Sequence, residues 1–456
     1  MQEPSTPHPS PALPLGPRLD PLPLTWLHLA AVAVCALGLF ADIAEVALGN
    51  VLAAVYTAPP HGMTRSELSL LLASVFAGGA LGAPLLGALA DRYGRRAVMQ
   101  IALAAIALSS FAAAASSGVS QLTASRFLSG FAIGAYPPLT AAYLSDILPA
   151  RWRGVLVMVC AGLAFLGAPA IILLVRGLGT GALGVEAWRW GLAAGGVLAG
   201  LGGALLALLP DPPGWLGSRG RRSEAEASCR RLEHSPALRV RGPGPAGGVR
   251  SPDGGAARPE EPDIRPASLR RRTLFLAGLY LLGPWATLGF PLLSAAVMVA
   301  GGFTLPESIL FAGLSMFGPS LGILVAAPMI DRLDRRRALC LCAGAMIAAS
   351  IAFPLAAALP VLVLLGLAFN LASALYSAVL ALYAAEMFPS AVRASATANA
   401  WAAGRLVSIA VPLVLVPLLS GYGPTALFAA MASAVVASLA LILAAGPPGT
   451  PARALG

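Results

Sequence analysis

Twelve long apolar runs dominate this sequence and constrain what it can fold into. A helix needs about 20 mostly apolar residues to cross a bilayer, and soluble helices rarely occur in this number and length. The chain is 57% hydrophobic and only 11% charged, whereas a soluble domain needs roughly a quarter of its residues charged. We therefore predict an all-α membrane protein with twelve transmembrane helices, at residues 25–53, 67–90, 97–117, 121–147, 154–176, 187–209, 273–300, 307–330, 338–358, 360–386, 394–419 and 424–446.

A polar segment at residues 211–272 divides these runs into two groups of six. It is rich in Arg, Gly, Pro and Glu, a composition that predicts a disordered or weakly helical linker. The N-terminus is Pro-rich and has no basic segment before its first apolar run, so we expect no cleaved signal peptide. The predicted domains are an N-terminal tail, a six-helix bundle, the linker, a second bundle and a C-terminal tail, at residues 1–24, 25–210, 211–272, 273–446 and 447–456.

The arginines are distributed unevenly between the two sides of the predicted bundle. If the spans alternate, the linker and the clusters at 92–96, 151–153 and 332–337 lie on one side, and Arg65 and Arg189 lie on the other. The positive-inside rule then places both termini and the linker in the cytoplasm, with the bundle in a plasma or inner membrane. The net charge of +10 is spread between apolar runs rather than over one compact domain, so we expect no nucleic-acid partner.

Two charged motifs repeat at one offset of 240 residues. The motif after the second span recurs after the eighth, so that Asp91, Arg92 and Arg95 match Asp331, Arg332 and Arg335. The motif after the fourth span recurs after the tenth, so that Tyr143, Asp146, Pro149 and Arg153 match Tyr383, Glu386, Pro389 and Arg393. Two independent motifs in one register indicate duplicated halves, which is a known architecture of transporters.

The loop after the second span reads Gly-Ala-Leu-Ala-Asp-Arg-Tyr-Gly-Arg-Arg from residue 87 to residue 96. Gly87 allows close approach of helices near the membrane surface, Gly94 permits a tight turn, and Asp91 can cap a helix or pair with arginine. The loop resembles the signature loop of the major facilitator superfamily, which implies two six-helix bundles that rock about a central site. A positive-inside anchor with a turn is the alternative; we favour a gating latch.

The fourth span and the residues after it, from Arg126 to Gly154, resemble the sugar-porter and organic-acid-porter branches of the same superfamily. This resemblance implies that acid and arginine side chains at the cytoplasmic ends form networks that break and re-form between inward and outward states. The residues concerned are Asp146, Arg153, Glu386 and Arg393. Static pairing at the helix ends is equally consistent with the sequence.

Asp42 and Glu45 interrupt the first apolar run and share one helical face. A carboxylate near the bilayer centre costs on the order of 3 kcal/mol, so each must face a cavity, pair with a cation or stay protonated. Buried carboxyls suit proton carriage. The aromatic-acid:proton symporters and the similar nicotinate-type porters have two acids at this spacing in this span, and the sequence resembles theirs. Both residues are predicted to couple protons and to contact the substrate.

Two arginines also lie within apolar runs. Arg405 is some ten residues into the eleventh span, about 15 Å deep, and it needs a permanent anion because arginine does not lose its proton. That anion is a substrate carboxylate or an acid such as Asp42 or Glu45. Arg126 resembles the fourth-helix arginine that the superfamily uses in proton coupling; the alternative is that it reaches the outer surface.

These features predict a secondary active transporter, and not an enzyme. The most favoured activity is proton-coupled uptake of a small organic anion, such as an aromatic or pyridine carboxylate, by alternating access. Export of a hydrophobic or cationic drug, uptake of a sugar, and a non-transporting sensor are the alternatives. No phosphate-binding loop or metal-ligand spacing is evident. We therefore expect no cofactor and no metal, and a protein that works as a monomer in the lipid bilayer with protons and a small molecule.

Overall fold

The computed structural model describes residues 19–58, 63–179, 181–238, 266–326, 334–388 and 390–446. Side chains within 266–268, 325–326, 385–386 and 390–401 are outside this description. Helices form the regular structure of the described residues. The first half contains α1 Trp26–Thr57, α2 Arg65–Tyr93, α3 Arg95–Ala114, α4 Val119–Ile133, α5 Tyr136–Ile147, α6 Ala150–Ala164, α7 Gly167–Gly177 and α8 Ala187–Leu206.

Two short helices of the linker and the second half follow. The linker helices are α9 Pro213–Ser218 and α10 Arg222–Glu233. The second half contains α11 Pro266–Thr287, α12 Gly289–Ala300, α13 Leu305–Ser315, α14 Phe317–Ala326, α15 Arg335–Ala352, a 3-10 turn Phe353–Leu355, α16 Leu359–Glu386 and α17 Ser390–Ala445.

The helices account for the twelve predicted spans, and the all-α membrane fold is confirmed. Ten helical stretches of the described residues are long and apolar enough to cross a membrane. The fourth predicted span is divided into α4 and α5, because Gly134 ends the first helix and Pro137 and Pro138 begin the second, where a missing N–H is tolerated. The last two spans run together as α17, with Gly423 at φ +81° marking the turn between them.

The halves share local structure at the 240-residue offset. Both α2 and α13 begin with a capping box, formed by Thr64 with Glu67 and by Thr304 with Glu307. Glycines that let helices pack backbone to backbone repeat in the same register. A Cβ on Gly78 or Gly82 would lie 2.1 or 1.7 Å from a carbonyl oxygen of α4, and one on Gly318 or Gly322 would lie 2.6 or 3.0 Å from a carbonyl oxygen of α16. The packing of α2 on α4 therefore has a counterpart in α14 on α16.

The described part of the linker contains two short helices, where the sequence predicted a disordered or weakly helical segment. Residues 213–233 form α9 and α10, and α10 buries Ala225, Cys229 and Leu232 on one face. Cys229 and Leu232 pack against Leu19 of the N-terminal tail, and Leu238 N donates to Leu24 O at 2.8 Å. The position of α10 was not predicted because only three apolar residues at helical spacing identify this short helix in the sequence. Residues 239–265 of the linker lie outside the described residues.

We name the two ends of the bundle by what they carry. The linker end is where α1 begins and where α8 continues into α9. The far end is where α1 ends and α2 begins. One hydrophobic core cluster spans both halves and includes large aromatic side chains such as Phe290, Phe311 and Phe428, and a second cluster lies within the first half.

Candidate functional site

The most deeply buried charges of the first half form an ion pair. Arg126 on α4 is 1% exposed and Glu45 on α1 is 0% exposed. The Arg126 guanidinium pairs with the Glu45 carboxylate and also donates to the Glu45 backbone oxygen at 2.8 Å. A Cβ on Gly195 of α8 would lie 3.3 Å from Glu45 Oε2, so this glycine makes room for the carboxylate. The alternative that Arg126 extends to the outer surface was wrong.

Asp42 and Arg405 form a second charged group, which spans the two halves. Asp42 is 3% exposed, and it is close enough to Arg405 on α17 for the opposite charges to interact. Arg405 Nη1 lies 3.7 Å from the position that a Cβ on Gly79 of α2 would take. The structure therefore divides the two acids between two arginines: Glu45 pairs with Arg126, and Asp42 interacts electrostatically with Arg405.

Two adjoining cavities lie between the halves. The larger, of about 540 Å³, is lined mainly by apolar side chains of α1, α12, α14 and α16, with Asn370 and Ser373 among its few polar residues. The smaller, of about 330 Å³, contains Arg405. Both are lined by Thr287, Leu288 and Ser377, so they share a wall.

Several residues with hydroxyl groups line the smaller cavity together with Arg405. It is lined by Tyr280, Thr287, Tyr376, Ser377 and Ser408 as well as by the arginine. The combined space thus has a cationic, hydroxyl-rich part and an apolar part. Such a division suits a ligand with an anionic head and an apolar body.

Asn50 joins the halves nearer the far end. This fully buried residue of α1 donates from Nδ2 to Pro291 O at 2.6 Å and to Ser294 Oγ at 3.0 Å, and its Oδ1 accepts from Ala295 N at 3.1 Å. Pro291 O and Ala295 N have the spacing of an α-helical hydrogen-bonded pair, so the carboxamide inserts between two groups of α12. At the far end, Arg65 Nη2 also donates to Ser420 O at 3.0 Å. These bonds hold the two halves together on the far side of the cavities.

We expect Asn50→Leu to open the far end. The substitution removes three hydrogen bonds that cross between the halves, each worth about 0.5–1.5 kcal/mol, and should shift the population toward the far-end-open state by roughly tenfold or more. Spin labels at the exposed residues Ser120 of the first half and Leu355 of the second half measure the opening. Their separation in double electron–electron resonance should be longer in Asn50→Leu than in the parent protein. Thr57→Val is the control, because the Thr57 hydroxyl bonds only within α1, to Ala53 O. Unchanged distances in Asn50→Leu would contradict the assignment.

The structure joins the two repeated charge motifs of the first half. Arg95 pairs with Asp146 and also donates to Ala142 O at 3.1 Å. Arg153 pairs instead with Asp20 of the N-terminal tail, at 3.0 Å. Gly94 has φ +102°, as the predicted tight turn requires.

Two expectations for this loop need correction or refinement. A Cβ on Gly87 would meet no atom within 4 Å, so the predicted close helix approach is not made there in this conformation; Gly78 and Gly82 make it instead. The contacts that the structure shows for Asp91 are made by its backbone oxygen, which accepts from Trp215 Nε1 at 3.1 Å and Arg219 Nη2 at 2.5 Å. Linker residues thus dock on the loop. Arg92 lies over the Tyr93 ring, 5.3 Å from its centroid.

The structure describes only part of the charged motifs in the second half. Asp331 and Arg332 lie outside the described residues, as do the side chains of Glu386 and Arg393, so their gating roles stay predictions. Arg335 begins α15, preceded by Asp334, whose carboxylate caps the helix by accepting from Arg337 N at 2.9 Å.

One arginine contact does repeat between the halves. Arg336 donates to Leu443 O of α17 at 2.7 Å, and Arg96 donates to Leu209 O just after α8. The two arginines are related by the 240-residue offset, and each ties the start of a third helix to the end of the sixth helix in its own half.

Comparison with known proteins agrees with this architecture. The niacin transporter NiaP of Acinetobacter baylyi is 23% identical over 447 residues, which cover 96% of this chain and 99% of that protein. The 4-hydroxybenzoate transporter PcaK of Pseudomonas aeruginosa is 33% identical over 232 residues, 47% of this chain and 48% of that protein. The partially occluded inward-open structure of the xylose transporter XylE from E. coli superposes with a TM-score of 0.71 at 18% identity, covering 92% of this chain and 98% of that one.

The fold is that of a multi-pass membrane protein with two similar halves, and the family match identifies a transporter of the major facilitator type and not an enzyme. The sequence matches the family described as "Sugar (and other) transporter" over residues 39–241 and 306–447. The chain belongs to that family.

Proposed function

We propose that this protein carries a small organic anion, such as an aromatic or pyridine carboxylate, into the cell together with protons. The observation that supports this most strongly is the shape and charge of the central space. Arg405 and a set of hydroxyl groups line one part, and apolar side chains line the other. An aromatic carboxylate presents the matching combination of a charged head and an apolar ring. The names of two relatives, a niacin transporter and a 4-hydroxybenzoate transporter, favour the same substrate class.

The buried acids supply a route for protons in this proposal. Asp42 interacts electrostatically with Arg405, so a substrate carboxylate that binds Arg405 competes with Asp42 for the same cation. Once displaced, the Asp42 carboxylate is buried without its counter-charge, and taking up a proton removes that cost. Substrate and proton therefore bind together. Glu45 remains paired with Arg126 as a carboxylate, takes up a proton when that pair opens and releases it when the pair re-forms.

The bonds made by Asn50 and Arg65 close the far end in this conformation. Together with the positive-inside rule, this favours a state in which the cavities open toward the cytoplasm, with both termini and the linker on the cytoplasmic side. In this proposal rocking of the halves breaks the Asn50 bonds, and the Arg95–Asp146 pair belongs to the gate at the linker end.

Purified protein in liposomes tests the proposal. With an inward proton gradient, we expect accumulation of labelled nicotinate or 4-hydroxybenzoate and little accumulation of xylose or a lipophilic cation. Asp42→Asn should abolish the dependence on the gradient, whereas Glu226→Gln, an exposed change on α10, should not. A xylose substrate would favour the sugar-porter alternative, and expulsion of the lipophilic cation would favour the drug exporter.

A further inference from the structure

A buried tyrosine lies beside Asp42 in the first half. Tyr136 begins α5 and is 0% exposed. Its hydroxyl lies 1.9 Å from the position that a Cβ on Gly38 would take, so only glycine leaves room for it there. Gly38 precedes Asp42 by one turn of α1. The phenol and the Asp42 carboxylate are close enough to interact electrostatically.

Three oxygen atoms in this region are buried and make no hydrogen bond of good geometry among the described residues, although the hydroxyls of Tyr136 and Thr140 are close enough to interact with each other. They are Asp42 Oδ1, Tyr136 Oη and Thr140 Oγ1. Thr140 follows Tyr136 by one helical turn and is itself 1% exposed. Isolated polar atoms in a protein interior are costly, and a buried water typically makes about three hydrogen bonds to such groups. The three oxygens supply that number of partners.

We propose that Tyr136 and Thr140 hold a water molecule against Asp42 and thereby position the proton that Asp42 carries. When Asp42 is ionised, the tyrosine hydroxyl donates to the water, and the water donates to Oδ1. When a proton reaches the carboxylate, the acid O–H donates to the water, and the tyrosine hydroxyl turns to donate to Thr140 Oγ1. Tyr136 itself gains and loses no proton. It is a positioning residue, and the inference rests on the proposed proton coupling.

Few other ionisable groups face this cluster in the described part of the chain. Cys35 of α1 and Cys160 of α6 interact with the Tyr136 phenol, in addition to Asp42. Asp42 in turn interacts with Arg405 and Glu45. Both cysteines are free thiols buried among apolar side chains. The tyrosine and threonine hydroxyls are therefore the neutral oxygen groups of this cluster that are free of other hydrogen bonds of good geometry.

Tyr136→Phe tests the inference, because it removes one oxygen and keeps the ring packed against Gly38. Without the hydroxyl the ionised carboxylate is less stabilised, so Asp42 should keep its proton to a higher pH. We expect the pH at which proton-driven uptake falls to half to rise by about half to one pH unit. Thr140→Val should move it in the same direction by a smaller amount.

Tyr143→Phe is the matched control, since Tyr143 is buried on the same helix but its hydroxyl donates to Pro210 O at 2.8 Å. Thermal unfolding in detergent should show that all three variants fold. If proton-driven uptake depends on pH in the same way in Tyr136→Phe and Tyr143→Phe, the inference is overturned and proton coupling is left intact. Wild-type uptake that ignores the proton gradient would overturn the proposed function and this inference together, so the two failures are distinguishable.

Discussion

Glu45→Ala is expected to destabilise the protein by about 3–5 kcal/mol and to abolish transport, because it leaves the Arg126 guanidinium buried without a counter-ion. Arginine cannot shed its proton to relieve this cost. Arg126→Ala should be milder, because a carboxyl left alone in the same place can become neutral by binding a proton. The two substitutions therefore differ in their effect on stability because a lone glutamate can become neutral by binding a proton and a lone arginine cannot lose one.

Thermal unfolding in detergent, together with uptake in liposomes, measures both effects. The double variant Glu45→Ala/Arg126→Ala removes both charges and should unfold at a temperature closer to the wild type than Glu45→Ala does. It should still fail to accumulate substrate. If Glu45→Ala is as stable as the wild type, Arg126 has another anion in the interior and the assignment of the pair is wrong.

Arg405→Ala is expected to raise the substrate concentration for half-maximal uptake by roughly 10- to 150-fold, since hydrogen bonds to a charged group contribute about 1.5–3 kcal/mol each. The loss should be specific to the anionic head of the substrate. The uncharged amide of the same ring compound can be tested as a competitor of labelled substrate. The amide concentration that halves uptake should change far less in Arg405→Ala than the half-maximal concentration of the acid does. Arg222→Ala, an exposed arginine on α10, is the matched control.

An equal loss for the acid and its amide would contradict a contact between Arg405 and the carboxylate. It would indicate instead that Arg405 holds the two halves in place through Asp42 and the neighbouring α2.

The sequence predicted the architecture because the determinants of a membrane bundle are local and periodic. Apolar runs of bilayer length identify the spans, and the charge repeat at 240 residues identifies the halves. The structure extends that repeat to features whose role is hard to recognise in sequence, such as the glycine pair Gly78 and Gly82 with its counterpart Gly318 and Gly322. Glycine is common in this chain, so only the backbone contacts show which glycines matter.

The partners of the buried charges were less predictable. Asp42 and Glu45 stand out because carboxylates are rare in apolar spans. Which arginine each one faces depends on the rotation of α1 relative to α4 and α17, and that rotation is set by packing throughout the bundle. The sequence did not decide whether Arg405 interacts with Asp42 or with Glu45. In the structure Arg405 interacts electrostatically with Asp42, and Glu45 pairs with Arg126.

Neutral polar residues were missed altogether. Asn50 and Tyr136 sit in apolar runs without a formal charge, so hydropathy gives them little weight. The available signal was a carboxamide within a predicted transmembrane helix, which must find partners because lipid offers none. The position of linker helix α10 was not predicted for a different reason: its buried face has only three apolar residues, two of which pack against Leu19 of a tail far away in sequence.

Some residues of this chain have a counterpart of the same type 240 residues away in the other half, and others do not. Capping boxes, packing glycines and the Arg95 and Arg96 motifs have counterparts in the other half. Asp42, Glu45 and Arg405 correspond at the same offset to Leu282, Trp285 and Phe165. The shared residues thus belong to the scaffold and to the loops for which gating is predicted. Of the unshared charges, Arg405 lines the smaller cavity, and Asp42 and Glu45 lie buried on α1. This division supports placing the transport site at the unshared charges.

The most direct test of proton-coupled anion transport is the movement of protons with the substrate. Liposomes containing the protein, with equal pH on both sides and no membrane potential, are mixed with nicotinate or 4-hydroxybenzoate while the outer pH is recorded in weak buffer. The account predicts that the outer solution becomes alkaline as protons enter with the anion, and that Asp42→Asn shows no such change. Accumulation of labelled substrate by the wild type without any alkalinisation would contradict it.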